Sequence, residues 1–120
     1  PDLKGIIGCS VIDPAGAALA VEEAGKVGDI VIVGTSVADV IGSYLESGAV
    51  AMYSSWDTDA TTYAMCEVAR ILKDGGEVKT GDDLGAVGYE SVVVEGKVIY
   101  GKAWLDFTVD NYTTDPYITE

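Results

Sequence analysis

A chain of 120 residues is sized for one domain with a core of its own. Hydrophobic residues make up 48% and charged residues 22%, a globular composition far from that of a disordered chain. The formal net charge of −13, with no His at all, weighs against nucleic acid and against anionic membranes, both of which need a basic face, and it removes the commonest general base near neutral pH and the commonest zinc ligand.

The two cysteines, Cys9 and Cys66, lack any paired spacing, so a disulfide framework is excluded and no metal knuckle is expected. Both read as small buried or half-buried thiols. The apolar runs are strand-sized, with neither a signal peptide nor a membrane span among them, and the chain opens directly on Pro1-Asp2-Leu3-Lys4. So abrupt an opening carries the expectation that the natural amino terminus lies elsewhere.

In chain order, the apolar run Leu3 to Cys9 predicts a strand feeding a helix that starts at Asp13-Pro14, with Asp as cap and Pro in the first turn. That helix runs to about Ala24, puts Ala17, Ala20, Val21 and Ala24 on one stripe, and stops at Gly25. Asp29 to Gly34 is a continuous apolar strand of the kind buried on both faces of a parallel sheet, and Thr35 or Ser36 is placed to cap the second helix. In that helix Val37, Val40, Ile41, Tyr44 and Leu45 recur with helical period. Ser47-Gly48 ends it, and Ala49 to Ser54 reads as a third strand. Asp57 or Asp59 opens a third helix with Ala60, Ala64, Val68, Ile71 and Leu72 on one face, closed by Asp74-Gly75-Gly76. Three strand–helix units over residues 1–76 imply a parallel sheet with right-handed crossovers and flanking helices, a three-layer α/β arrangement.

After Gly76 the pattern changes. Val92-Val93-Val94 and Val98-Ile99-Tyr100 flank Glu95-Gly96-Lys97 as a β-hairpin, Ala103 to Val109 adds an extended segment, and the polar tail Asn111 to Glu120 is expected to run along the surface. Residues 77–120 thus form a hairpin and tail within a single domain of residues 1–120, with no repeat or linker dividing it.

Open parallel sheets bind ligands beyond the carboxyl ends of their strands. The three loops there are Cys9-Ser10-Val11-Ile12-Asp13, Gly34-Thr35-Ser36 and Ser54-Ser55-Trp56-Asp57. Hydroxyls, carboxylates and a Trp suit a polyol: carboxylates accept pairs of hydroxyl bonds, and an aromatic face covers the apolar side of a sugar ring. Asp13 and Ser36 also read as plain helix caps, Trp56 as packing, and Trp104 as structural. No phosphate loop, dinucleotide fingerprint or nucleophile elbow is present. A receiver domain would need an acidic pair where Cys9-Ser10 stand, and a small α/β enzyme would have only Asp13, Asp57 or Cys9 to work with. No catalytic residue, metal site or cofactor is expected.

Several motifs in order carry a resemblance: Pro1-Asp2-Leu3-Lys4-Gly5-Ile6-Ile7, the Ala-rich helix into Val21-Glu22-Glu23-Ala24-Gly25-Lys26, and Ile32-Val33-Gly34. Ser47-Gly48-Ala49-Val50 leading to Trp56-Asp57, Thr80-Gly81-Asp82-Asp83-Leu84 with Gly88, and Phe107-Thr108-Val109-Asp110-Asn111 extend it over nearly the whole chain. Together they resemble the type I periplasmic solute-binding proteins of sugar ABC importers, in the branch that binds rhamnose or autoinducer 2.

The resemblance implies an extracytoplasmic protein or lipoprotein that binds a sugar-like small molecule, without catalysis, and delivers it to an ABC permease. It implies Cys9, Ser10, Val11 and Asp13, then Thr35 and Ser36, then Ser55, Trp56 and Asp57 as the ligand-binding loops. Autoinducer 2 binders resemble one another in carrying Pro and Ala where this chain has Cys9 and Val11, and pentose binders carry Asp at the Thr35-Ser36 loop. The resemblance also implies that an amino-terminal lobe and two strand–helix units are missing, leaving a partial carboxy-terminal lobe. The strand at Leu3 then presents a bare apolar edge, through which a homodimer is expected. The other reading of the same fold is the effector-binding domain of a sugar-responsive transcription regulator.

Overall fold

Strand and helix alternate three times before the pattern breaks. In chain order the elements are β1 (Gly5–Gly8), α1 (Asp13–Glu23), β2 (Val31–Thr35), α2 (Ala38–Glu46), β3 (Met52–Trp56), α3 (Thr58–Lys73), β4 (Val93–Glu95), β5 (Val98–Tyr100), β6 (Trp104–Phe107) and a 3-10 turn at Tyr112–Thr114. The computed structural model describes residues 2–115 and 118. They fall into two compact units, Pro1–Ser55 with Asp106–Glu120, and Trp56–Leu105.

In the first unit β1, β2 and β3 run parallel, with Ile6 opposite Ile32, Gly8 opposite Gly34, and Gly34 opposite Tyr53. The sheet order is β1-β2-β3-β6. Residues paired in register share a face, so Ile6, Gly8, Ile32, Gly34 and Tyr53 point one way. α1 lies on that face. A Cβ on Gly8 would come within 2.6 Å of the Pro14 ring, and one on Gly34 within 2.4 Å of the Gly8 carbonyl oxygen, so the two glycines are what let helix and strands close up. α2 packs beside α1, and Ile32, Ile41 and Tyr53 are fully buried between the layers.

The opposite face is different. Ile7 is 75% exposed and Val31 53%, so β2 is not buried on both faces at Val31, as its apolar run led one to expect. A continuous apolar run reports that both faces are apolar, whereas burial depends on what packs over each.

α1 buries Pro14, Ala18 and Val21, not the expected Ala17–Ala20–Val21–Ala24 stripe; Ala20 and Ala24 are exposed. Alanine on every side of the helix leaves no contrast from which to read its orientation. α1 does stop where expected, at Gly25 with φ +63°. α2 buries Ile41 and Leu45, with Val40 and Tyr44 half-buried, as its period implied. The third strand begins later than the expected Ala49: Gly48 turns at φ +78°, and the ladder to β2 opens with Ala51 N–H on the Ile32 carbonyl.

The carboxy-terminal tail does not simply run along the surface. Asp115 is 2% exposed. Its carboxylate accepts the Tyr53 hydroxyl at 2.5 Å and the Ala38 amide, the first of α2, at 3.3 Å. Tyr53 stacks on Phe107 with ring centroids 5.0 Å apart, while Tyr112 lies against Gly42 and donates to Glu46. The remaining tail positions 116, 117, 119 and 120, like Pro1 of the opening motif, lie outside the described residues.

The second unit has its own core of Ala64, Val78, Leu84, Ala86 and Val92, against which Ala60, Val68 and Ile71 of α3 pack. Leu72, expected on the same face, is 58% exposed at the last turn. Cys66 is exposed, as is Cys9, contrary to the buried thiols expected; Cys66 falls on the outer side of α3. The Thr80-Gly81-Asp82-Asp83-Leu84 motif is a folded loop: the Gly81 amide donates to the Val92 carbonyl and the Val92 amide to the Asp82 carbonyl, the Asp82 carboxylate accepts the Lys79 amide, and Leu84 plugs the core. β4 and β5 form the expected hairpin with Glu95 opposite Val98, turning at Gly96 with φ +63°.

Candidate functional site

In the first unit the loops after β1 and β2 lie beyond the carboxyl ends of adjacent parallel strands. They are tied together: the Ser36 hydroxyl donates to the Val11 carbonyl at 2.7 Å, and the Ser36 amide reaches the Ser54 carbonyl at 3.3 Å. Ser36 is 1% exposed and does not cap α2. Val37 holds the cap position without a side-chain bond, and the job falls to Asp115, from the far end of the chain. Neither Thr35, which closes β2 half-buried, nor Ser36 is the cap expected from the sequence.

Asp13 also departs from expectation. It is the first residue of α1, not its cap, and its carboxylate turns back to accept the Cys9 amide at 3.1 Å and the Ser10 amide at 3.0 Å. The Ser10 side chain first, then the Cys9 amide, hold its carboxyl below the usual range. The reversal is local: the tight β1–α1 turn presents two amides within reach of the side chain, which a residue at the true cap position would direct into the helix. Cys9, Ser10 and Val11 are left exposed around this anchored turn. Ser55, of the same unit, is 7% exposed at the end of its run in β3.

In the second unit Trp56 is the last residue of β3, so the expected loop Ser54 to Asp57 is mostly strand end. Asp57 caps α3 as expected, accepting the Ala60 amide at 2.8 Å. Trp56 is 40% exposed and meets Trp104 edge to face, with ring centroids 5.3 Å apart at 76°. Trp104, read from the sequence as structural, is 60% exposed. With Thr61, Tyr89 and Ala103 the two indoles line a recess of about 290 Å³. Among the described residues no three His, Cys, Asp or Glu side chains gather as a metal site, and no helix is long and apolar enough to cross a membrane.

No protein-family model matches the chain, and no curated protein does. Solved structures do. The chain is similar to LsrB from Clostridium saccharobutylicum in complex with AI-2, at 20% identity and a TM-score of 0.73, covering 97% of this chain and 40% of that one. It is also similar to a sugar ABC transporter structure from Actinomyces odontolyticus, at 18% identity and a TM-score of 0.79, covering 98% of this chain and 38% of that one. The chain carries a periplasmic binding protein-like fold. It spans about two fifths of the length of these structures. The likeness at such low identity is one of fold, and it falls where the sequence resemblance placed it.

Sequence reasoning missed three residues. Asp115 was lost in a polar tail, and only its position after an aromatic-rich segment set it apart. Tyr89 and Trp104 lay outside the strand-end loops, and aromatic residues in polar, glycine-rich surroundings were the available signal.

Proposed function

We propose that the chain is part of the ligand-binding lobe of an extracytoplasmic solute-binding protein that captures a sugar-like small molecule for an ABC permease. The observation that carries this reading is the anchored β1–α1 turn: Asp13 and Ser36 hold the loops after β1 and β2 in place, leaving Cys9, Ser10 and Val11 open at the carboxyl ends of parallel strands. The periplasmic binding protein-like fold supports it. In this reading Cys9, Ser10, Val11 and Thr35 of the first unit contact ligand, Asp13 and Ser36 set their loops, and Ser55 supports the end of β3. The chain supplies one side of the cleft, without catalysis, and an amino-terminal lobe supplies the other.

Calorimetry on the full-length gene product with rhamnose, autoinducer 2 and common pentoses tests this. Micromolar binding of one of them, weakened at least tenfold by Asp13→Ala, is expected. The 120-residue chain alone should show no micromolar affinity, because ligands of this class are buried between two lobes. Micromolar binding by the chain alone, or none by the full-length protein, overturns the reading.

A further inference from the structure

Resting on that reading, we infer that Trp56, Trp104, Tyr89 and Thr61 form an aromatic subsite for one uncharged sugar ring, with Trp104 and Tyr89 as contacts. Three observations converge. The two indoles stand at 76° to one another, so the recess has two aromatic walls at an angle, and both rings are substantially exposed, at 40% and 60%. A sugar's axial C–H face covers an indole with its apolar side, while its hydroxyls stay at the rim.

The polar complement is present. The Thr61 and Tyr89 hydroxyls lie 3.1 Å apart in the same recess; with the Thr61 proton given to the Asp57 carbonyl, Tyr89 donates to Thr61, and the lone pairs left on the two oxygens accept from ligand hydroxyls. The Thr61 hydroxyl also reaches the Asp57 carbonyl at 2.8 Å, and Asp57 in turn caps α3. The pair is therefore held by the first turn of the helix rather than by a loose loop.

Size and charge narrow the ligand. A recess of about 290 Å³ is at the foot of the roughly 300–1,000 Å³ range of small-molecule sites and takes one small ring. Among the described residues no charged side chain lines it, and the chain carries −13 overall, so sugar phosphates and sugar acids meet no counter-charge from them and are repelled by the protein's field. A neutral monosaccharide is the class that fits.

Trp56 and Trp104 are the two tryptophans of the chain, so their indole N–H signals report on the recess directly. The test titrates the full-length protein with a panel of neutral monosaccharides, sugar phosphates and autoinducer 2 by calorimetry, and follows the 120-residue chain by NMR at high millimolar sugar. Shifts of both indole signals with a neutral monosaccharide but not its phosphate are expected, together with at least tenfold weaker binding to full-length Trp104→Ala and at least threefold weaker to Tyr89→Phe. If the full-length protein binds a neutral sugar but the indole signals stay still and Trp104→Ala binds within twofold of wild type, the subsite is wrong and the solute-binding reading stands. Binding of no member of the panel sinks the solute-binding reading and the subsite with it. Should Trp104→Ala misfold, the indole shifts of the unmodified chain still decide.

Discussion

Asp115 accepts the hydroxyl of Tyr53 at 2.5 Å with both residues buried, 62 positions apart in sequence. The same carboxylate oxygen takes the first amide of α2, so one tail residue fastens the middle strand of the chain, a helix terminus and the carboxy-terminal segment together. Asp115→Ala should therefore cost more than a lost surface bond. It strips a buried phenol of its acceptor and uncaps α2, and a loss of about 3 kcal/mol is expected from urea denaturation. Asp115→Asn, which keeps an acceptor of similar shape but not its charge, should lose about half as much.

The same pair sets the alkaline limit of the fold. Burial, then the Asp115 bond, push the Tyr53 phenol well above its ordinary value of 10.0. In the unfolded chain this phenol ionises near that value, while in the folded chain it stays protonated, so from about pH 10 upward the unfolded state binds fewer protons and stability falls as pH rises. Below about pH 9 the group makes no difference to the slope. Denaturation midpoints measured from about pH 7 to 11 should be flat at first and then decline, and Tyr53→Phe should start lower but lose the decline due to this residue. An identical alkaline slope in the two proteins would show that Tyr53 does not control it.

Gly34 and Gly16 predict opposite signs for the same change. A Cβ on Gly34 would stand 2.4 Å from the Gly8 oxygen and 2.8 Å from the Pro14 ring, backbone and a rigid ring that cannot swing aside. Gly34→Ala should destabilise by about 2–3 kcal/mol. A Cβ on Gly16, inside α1, meets nothing within 4 Å, so Gly16→Ala should stabilise by about 0.5–1 kcal/mol through helix propensity and a less flexible unfolded chain. Thermal melts of the two variants beside the parent check both signs at once.

Much of this architecture was legible because it is local. The β-strand and helix alternation, the stop at Gly25, the phase of α2 around Ile41 and Leu45, the Asp57 cap and the Gly96 hairpin each depend on residues within a few positions of one another. What was missed is relational. Asp13 looks like a cap from its neighbours, yet its carboxylate bonds the amides of Cys9 and Ser10. Ser36 looks like a cap too, but α2 is capped from Asp115, 77 residues after Ala38. The outward side of Val31 and the exposure of Trp104 depend on what packs over them, and apolar character alone does not say. The loops and strand ends were therefore visible in the sequence, while the aromatic recess of the second unit, which needs Trp56, Tyr89 and Trp104 brought together, was not.

The exposed face and edge of β1 yield the last prediction. β1 stands at the end of the strand order, paired with β2 among the described residues. The Val31 amide bonds the Lys4 carbonyl, and in a parallel ladder that alternation sends the backbone groups of Gly5 and Ile7 away from β2. Ile7 is also 75% exposed, so polar backbone waiting for a partner and an apolar side chain lie on one short strand, the combination through which chains associate edge to edge. The 120-residue chain should sediment as a dimer that dissociates on dilution. Ile7→Lys places a charge on the exposed face without touching the β2 ladder, and it should yield a monomer at the same concentration with stability within about 0.5 kcal/mol of the parent. A parent chain that remains monomeric at high concentration, with a sharp unfolding transition, means the β1 edge does not drive association, and Ile7→Lys would then leave sedimentation unchanged.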